Sequence, residues 1–170
     1  MPINFKYYSE NSITTDYERL DLLSQKIVSI CQNPQHSNIL SESQSVSDRY
    51  DSNSVLRELR NDLMSIGFTV EGEKRIKLNH YYPDAYSFAA KYVVEVEAAR
   101  GYLGNQFLKD YFKACHSENV EYLCIIVRNR YDYGKKRHSD NYRLITEKWF
   151  DVFLGKNHTD GLKGLLVIGY

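Results

Sequence analysis

Hydrophobic positions along the chain fall into alternating helical and extended patterns. Thr15-x-x-Glu18 has the form of a capping box, and Tyr17, Leu20, Leu23 (or Leu22), Ile27 and Ile30 recur at helical spacing up to Asn33-Pro34. From about Gln35 to Asn53 the chain is rich in Ser, Asn, Asp and Gln and reads as a polar loop. Asn53 or Ser54 can cap a second helix whose stripe is Val55, Leu56, Leu59, Leu63 and Ile66, with Gly67 at its end. Phe68 to Val70 and Arg75 to Tyr82 then predict strands around a turn at Gly72. Lys91 to Ala98 predicts a further strand, because Val93, Val94 and Val96 are β-branched.

Beyond Gly101 and Gly104, the residues Phe107, Leu108, Tyr111, Phe112 and Cys115 predict the buried side of a third helix. Val120 to Val127 is an almost unbroken apolar run, as expected of a strand covered on both faces. A fourth helix is predicted from about Asn141 to Leu154 through Ile145, Trp149, Val152 and Phe153, and Gly164 to Ile168 closes the chain as a strand. A meander followed by helical crossovers implies an α/β (α+β) domain, a mixed β-sheet flanked by helices. The 170 residues fit one domain, with the polar loop too short to divide it.

Composition narrows the functional classes. Lys plus Arg equals Asp plus Glu at 22 each, which argues against a uniformly basic coat for nucleic acid. No apolar run approaches the roughly 20 residues that span a bilayer, and Met1 to Lys6 lacks a signal-peptide pattern. Cys31, Cys115 and Cys124 form no metal or disulfide spacing; together with the N-terminus they predict a reducing, cytoplasmic setting. His80, His116 and His138 do not have a metal-binding spacing either, although His80 is four residues before Asp84.

Candidate chemistry is acidic. Pro83-Asp84 is followed by Val93-Val94-Glu95-Val96-Glu97. Side chains two apart on a strand share a face, so Glu95 and Glu97 project together. One reading is a solvated sheet face. The other brings in Asp84 across a hairpin, giving three carboxylates whose oxygens suit a hard divalent cation. Glu58, on the second helix, is either a further acid or an exposed helix residue spaced i,i+4 from Asp62.

At these residues the chain resembles the PD-(D/E)XK superfamily of restriction-endonuclease-like nucleases. Pro83-Asp84, Glu95-Val96-Glu97, the helix from about Leu103 and the VEYLCIIV strand follow that family's order of elements. The likeness covers roughly residues 53 to 131. It departs at position 97, where Glu97 stands in place of the commoner lysine. The resemblance implies that Asp84, Glu95 and the Val96 carbonyl hold Mg²⁺, with Mn²⁺ as a substitute, and that Glu97 accepts a proton from water or binds a second metal. The implied activity is metal-dependent hydrolysis of phosphodiester bonds in DNA, with RNA as the other nucleic-acid substrate, by a homodimer. The competing reading is a non-catalytic nucleic-acid or protein-interaction module on the same fold.

Two basic stretches are candidates for phosphate contact. Arg100, Asn105 and Lys109 follow the acidic strand at a Gly-bearing turn into a helix. Residues 128 to 143 carry six basic and two acidic residues, a local balance of +4 against −4 elsewhere. There Arg128, Arg130, Lys135, Lys136 and Arg137 are interleaved with Tyr131, Tyr133 and Tyr142, which can stack on bases. The same positions also read as a solvated charged loop and structural turns.

Overall fold

The computed structural model describes residues 3–40, 51–72, 76–97, 105–132, 138–154 and 159–170. The chain opens with a hairpin absent from the hydrophobic reading, β1 (Asn4–Ser9) and β2 (Ser12–Thr14). Helix α1 (Leu22–Gln32) starts later than the capping box suggests. Thr15 is not its cap: Asp16 caps a short 3₁₀ turn (Tyr17–Arg19), and the Asp21 carboxylate then accepts from the Leu23 and Ser24 amides to begin α1. Asp21 offers the orphan N–H groups a charged acceptor, which also suits the positive end of the helix. Likewise Asp51, not Asn53 or Ser54, caps α2 (Ser52–Ser65). Gly67, at φ +99°, ends that helix in the left-handed region.

Strands β3 (Thr69–Val70), β4 (Ala85–Ser87) and β5 (Tyr92–Glu97) follow. No strand forms among the described residues between Arg75 and Tyr82. Instead Leu78 and Tyr81 bridge each other around a tight turn in which Asn79 takes φ +56°. Pro83-Asp84 therefore leads into β4 and does not end a strand. Helix α3 (Gln106–Cys115) precedes β6 (Tyr122–Val127), and β7 (Arg130–Asp132) and β8 (His138–Asp140) form a separate small ribbon. A final helical stretch runs as α4 (Asn141–Arg143), a π-helical segment (Leu144–Phe150) and α5 (Asp151–Phe153) before β9 (Gly164–Gly169).

The described strands form a seven-stranded mixed sheet in the order β2-β1-β9-β6-β5-β4-β3. The three central strands β5, β6 and β9 are parallel and their outer neighbours antiparallel. Because β5, β6 and β9 succeed one another in a single direction, crossovers of one hand place their helices on one face. There Phe107, Tyr111, Ile145 and Phe150 pack on Val93, Ile125 and Val167. Helices α1 and α2 cover the other face, with Ile27, Val28, Leu59 and Leu63 on Val94, Ile126 and Ile168. Strand β1 is covered on both sides, so adjacent Tyr7 and Tyr8 enter opposite cores. That double burial hides β1 from a search for alternation.

Some predicted core positions face outward. Phe112 is 53%, Val152 67% and Phe153 68% exposed, while Asp110 and Ala114 take buried places on α3. Cys31 and Cys124 are buried and Cys115 half-buried, all as free thiols. Among the described residues no helix is long and apolar enough to cross a membrane.

Leu59 is fully buried between α2 and the sheet, whereas Met64 on the same helix is 56% exposed. Leu59→Ala is expected to cost about 2–5 kcal/mol in urea unfolding and Met64→Ala within about 0.5 kcal/mol. Similar losses in both would mean that α2 does not dock by the described face.

Candidate functional site

The site is built where β4 begins. Its register with β5 pairs Ala85 with Val94, so Asp84 stands at the position facing Glu95. Beyond that pair β5 has lost its antiparallel neighbour, and the Val96 N–H donates to Asp84 Oδ2 at 2.8 Å. The carboxylate thus replaces a ladder carbonyl, fixing Asp84 against the acidic end of β5.

Alternation directs Glu95 and Glu97 to the face covered by α3, along with Val93. Glu95 is only 6% exposed, which removes the reading of a solvated acidic face. Its Oε1 is buried without a hydrogen-bond partner. Burial, then the charges of Asp84 and Asp110, hold the Glu95 carboxyl well above the usual range, while Tyr81 and Lys113 pull the other way. Asp84 is pushed up to about 6, chiefly by burial, against the opposing Val96 N–H. Glu97 is pushed up to about 8, by burial first and then by the charge and hydrogen bonding of Asp110. Such mutual elevation is what carboxylates gathered out of water show.

Three members of this site are absent from the sequence reading. Asp110 projects from α3 and is 8% exposed. Lys113, one turn further on, reaches back to Asp110 with Nζ–Oδ1 at 2.8 Å. Tyr81 is buried beside Glu95, which with burial drives its phenol well above the ordinary tyrosine value, and the Lys113 ammonium stands 5.6 Å from the Tyr81 ring centre. A signal for Asp110 was present: it is three residues after Phe107 and four before Ala114, a charge set on an apolar stripe.

Glu58 goes elsewhere. Its Oε1 is 3.0 Å from His36 Nδ1, and Asp62 Oδ2 is 2.7 Å from His36 Nε2. This buried histidine, unnoticed in the sequence, ties the segment after α1 to α2, and Glu58 does not join Asp84.

The basic candidates are dispersed. Arg100, Lys135, Lys136 and Arg137 lie outside the described residues, as does Tyr133. Asn105 (φ +57°) and Lys109 are exposed at the start of α3. Arg130 is exposed on β7, but Arg128 is not a surface cation: it is 5% exposed and packs 6.0 Å from the ring centre of Tyr170. Tyr131 is buried too, so neither its ring nor Arg128 presents itself for base stacking or phosphate contact. The +4 stretch is thereby part core.

The donor set suits a hard divalent cation: the residues converging on β5 offer oxygen ligands, they repel one another, and one buried carboxylate oxygen has no partner. Among the described residues, no three His, Cys, Asp or Glu side chains already stand in a coordinating arrangement.

No family model matches the chain, and no curated protein matches it. Among solved structures it is similar to the restriction endonuclease BglII, in its crystal structure with a DNA 16-mer, at a TM-score of 0.52. The two are 13% identical, over 99% of this chain and 78% of that one. At that identity the likeness establishes architecture: the seven-stranded mixed sheet flanked by helices is a restriction-endonuclease-like fold.

Proposed function

We propose that the protein is a divalent-metal-dependent nuclease that hydrolyses phosphodiester bonds in DNA. The observation that carries this reading is the placement of Asp84, just before β4, opposite Glu95 on the strand that also bears Glu97, where Glu95 Oε1 is buried without a partner. Asp84, Glu95 and the Val96 carbonyl would hold the cation. In an extended strand a residue's N–H and C=O point to the same side, so the Val96 carbonyl faces the side where Asp84 takes its N–H. Bound there, Mg²⁺ or Mn²⁺ would polarise the phosphate and lower the pKa of a water. Glu97, once ionised, is placed on the same face to accept a proton from an attacking water.

Duplex cleavage calls for two such sites, hence a homodimer. The three free cysteines accord with a cytoplasmic setting. A second reading, a non-catalytic binding module on this fold, draws on Glu97 in place of lysine and on the absence of a ready-set metal cluster among the described residues.

The deciding experiment incubates plasmid DNA, single-stranded DNA and RNA with Mg²⁺ or Mn²⁺ at pH 8. Wild type should cut DNA, and Glu95→Gln should be slower by roughly 100-fold or more. A metal ion supplies several kcal/mol of transition-state stabilisation, and about 1.4 kcal/mol is a factor of ten. Cleavage of RNA alone would change the substrate, equal rates in the two proteins would move the site, and no cleavage with retained binding would favour the module.

The raised carboxyls also predict a pH dependence. Asp84 and Glu97 titrate higher in the folded chain, at about 6 and about 8, than their ordinary values of 3.8 and 4.5. The folded state therefore binds more protons between about pH 4 and 8, so stability is fullest below that window and falls as pH rises through it. Each group contributes a slope of up to about 1.4 kcal/mol per pH unit where it alone differs. A cation competes with those protons. Thermal unfolding is accordingly expected to show a Tm lower at pH 8 than at pH 5 in EDTA. Addition of Ca²⁺ or Mg²⁺ should raise Tm more at pH 8, and an equal rise at both values would contradict a carboxylate-held cation.

A further inference from the structure

Helix α3 turns a charged side inward at one place. Its buried residues are Phe107, Asp110, Tyr111 and Ala114, and three of the four are what a helix packed on a sheet requires. Asp110 is the exception. A carboxylate at that depth would be costly to desolvate without a compensating group. Its compensation is Lys113 at 2.8 Å, whose side chain remains 49% exposed while that of Asp110 is 11% exposed. The ion pair is therefore half in water, with the carboxylate at its inner end.

At that inner end Asp110 meets further carboxylates. Its charge acts on Glu97, and also on Glu95 and Asp84, which lie on the face that α3 covers or beside it. A neutral residue at position 110 would have made the interior simpler and α3 easier to pack. Glu95 Oε1 is buried without a hydrogen-bond partner in the same group of side chains, beside a Tyr81 hydroxyl that also has none, so this pocket of polar atoms is not closed on itself.

We propose that Asp110 is a fourth carboxylate of the cation site, supplied by α3, and that Lys113 is the positioning residue that holds it there. The inference rests on the nuclease reading for the identity of the site, but concerns which residues bind the ion. Asp84, Glu95 and Glu97 come from the sheet, so an acid from the covering helix would close the site from its second side. Lys113 would keep Asp110 turned inward and offset part of the charge while no ion is bound. When Ca²⁺, Mg²⁺ or Mn²⁺ enters, the ammonium can swing into water, since about half of the Lys113 side chain is already exposed.

The test is calorimetric titration of the full chain with Ca²⁺ and with Mn²⁺, at pH 8, for wild type, Asp110→Asn, Lys113→Met and Lys113→Arg. Wild type should bind either ion. Asp110→Asn should bind at least about tenfold more weakly, and Lys113→Met by a smaller factor that Lys113→Arg restores, in keeping with the roughly 10–100-fold effects of residues that orient ligands. Thermal unfolding in EDTA separates this from damage: Asp110→Asn removes a like charge, so its Tm at pH 8 should be no lower than that of wild type, while its gain on adding Ca²⁺ shrinks. If wild type binds and Asp110→Asn binds equally well, the fourth carboxylate is refuted while the nuclease reading stands. Failure of wild type to bind either ion overturns both. Equal affinity in Lys113→Met and wild type overturns the positioning role alone.

Discussion

Beyond Val94, strand β5 runs on without β4 beside it, and a backbone amide at Val96 needs an acceptor. That acceptor is the carboxylate of Asp84, at 2.8 Å. An unmade hydrogen bond in such a place costs about 1–3 kcal/mol, so the bond fixes where the turn before β4 must lie. It also has a consequence for charge. By anchoring Asp84 to the strand that carries Glu95 and Glu97, it forces acids together at a depth where water does little to separate them. The rest of the site follows from that compression: carboxyls that keep their protons, a buried oxygen without a donor, and an ammonium on α3 at the margin.

Why a fold tolerates this is a matter of topology. The helices joining β5 to β6 and β6 to β9 share one face, and Glu95 and Glu97 point to that face. The same face carries Phe107 and Tyr111 of α3 in a well-packed apolar layer that can carry a local electrostatic penalty. The opposite face, under α1 and α2, is apolar where it meets β5 through Val94 and Val96. Had the register of β5 slipped by one residue, the glutamates would enter that second core, with no Lys113 at hand.

The sequence made the frame legible because its central strands are apolar on both sides. VEYLCIIV and GLLVI admit few other structures, and the V-V-E-V-E alternation points both acids to one side. The N-terminal hairpin was hidden since Tyr7 and Tyr8 are both buried, which erases alternation. Asp110 was missed for a different reason. The stripe 107-108-111-112-115 is as regular as the observed 107-110-111-114, and choosing it rotates the helix so that Asp110 faces water. Periodicity alone cannot distinguish two stripes offset by a fraction of a turn; the exposed Phe112 shows that the more hydrophobic one lost. Burial of a charge became intelligible only once its neighbours on β5 and Lys113 were in place.

The equal numbers of basic and acidic residues take on a different meaning in this arrangement. Net charge counts Asp84, Glu95 and Glu97 as three full negatives, yet burial and mutual repulsion push all three upward, Glu97 to about 8. The folded surface is then more positive than the composition states, although part of the basic stretch has also gone inside with Arg128. On the proposed reading, a divalent ion would compete with protons for the same carboxylates. On the proposed nuclease reading, approach of a polyanion would depend less on the total of lysines and arginines than on how far the carboxylates are neutralised, by protons without metal and by metal with it.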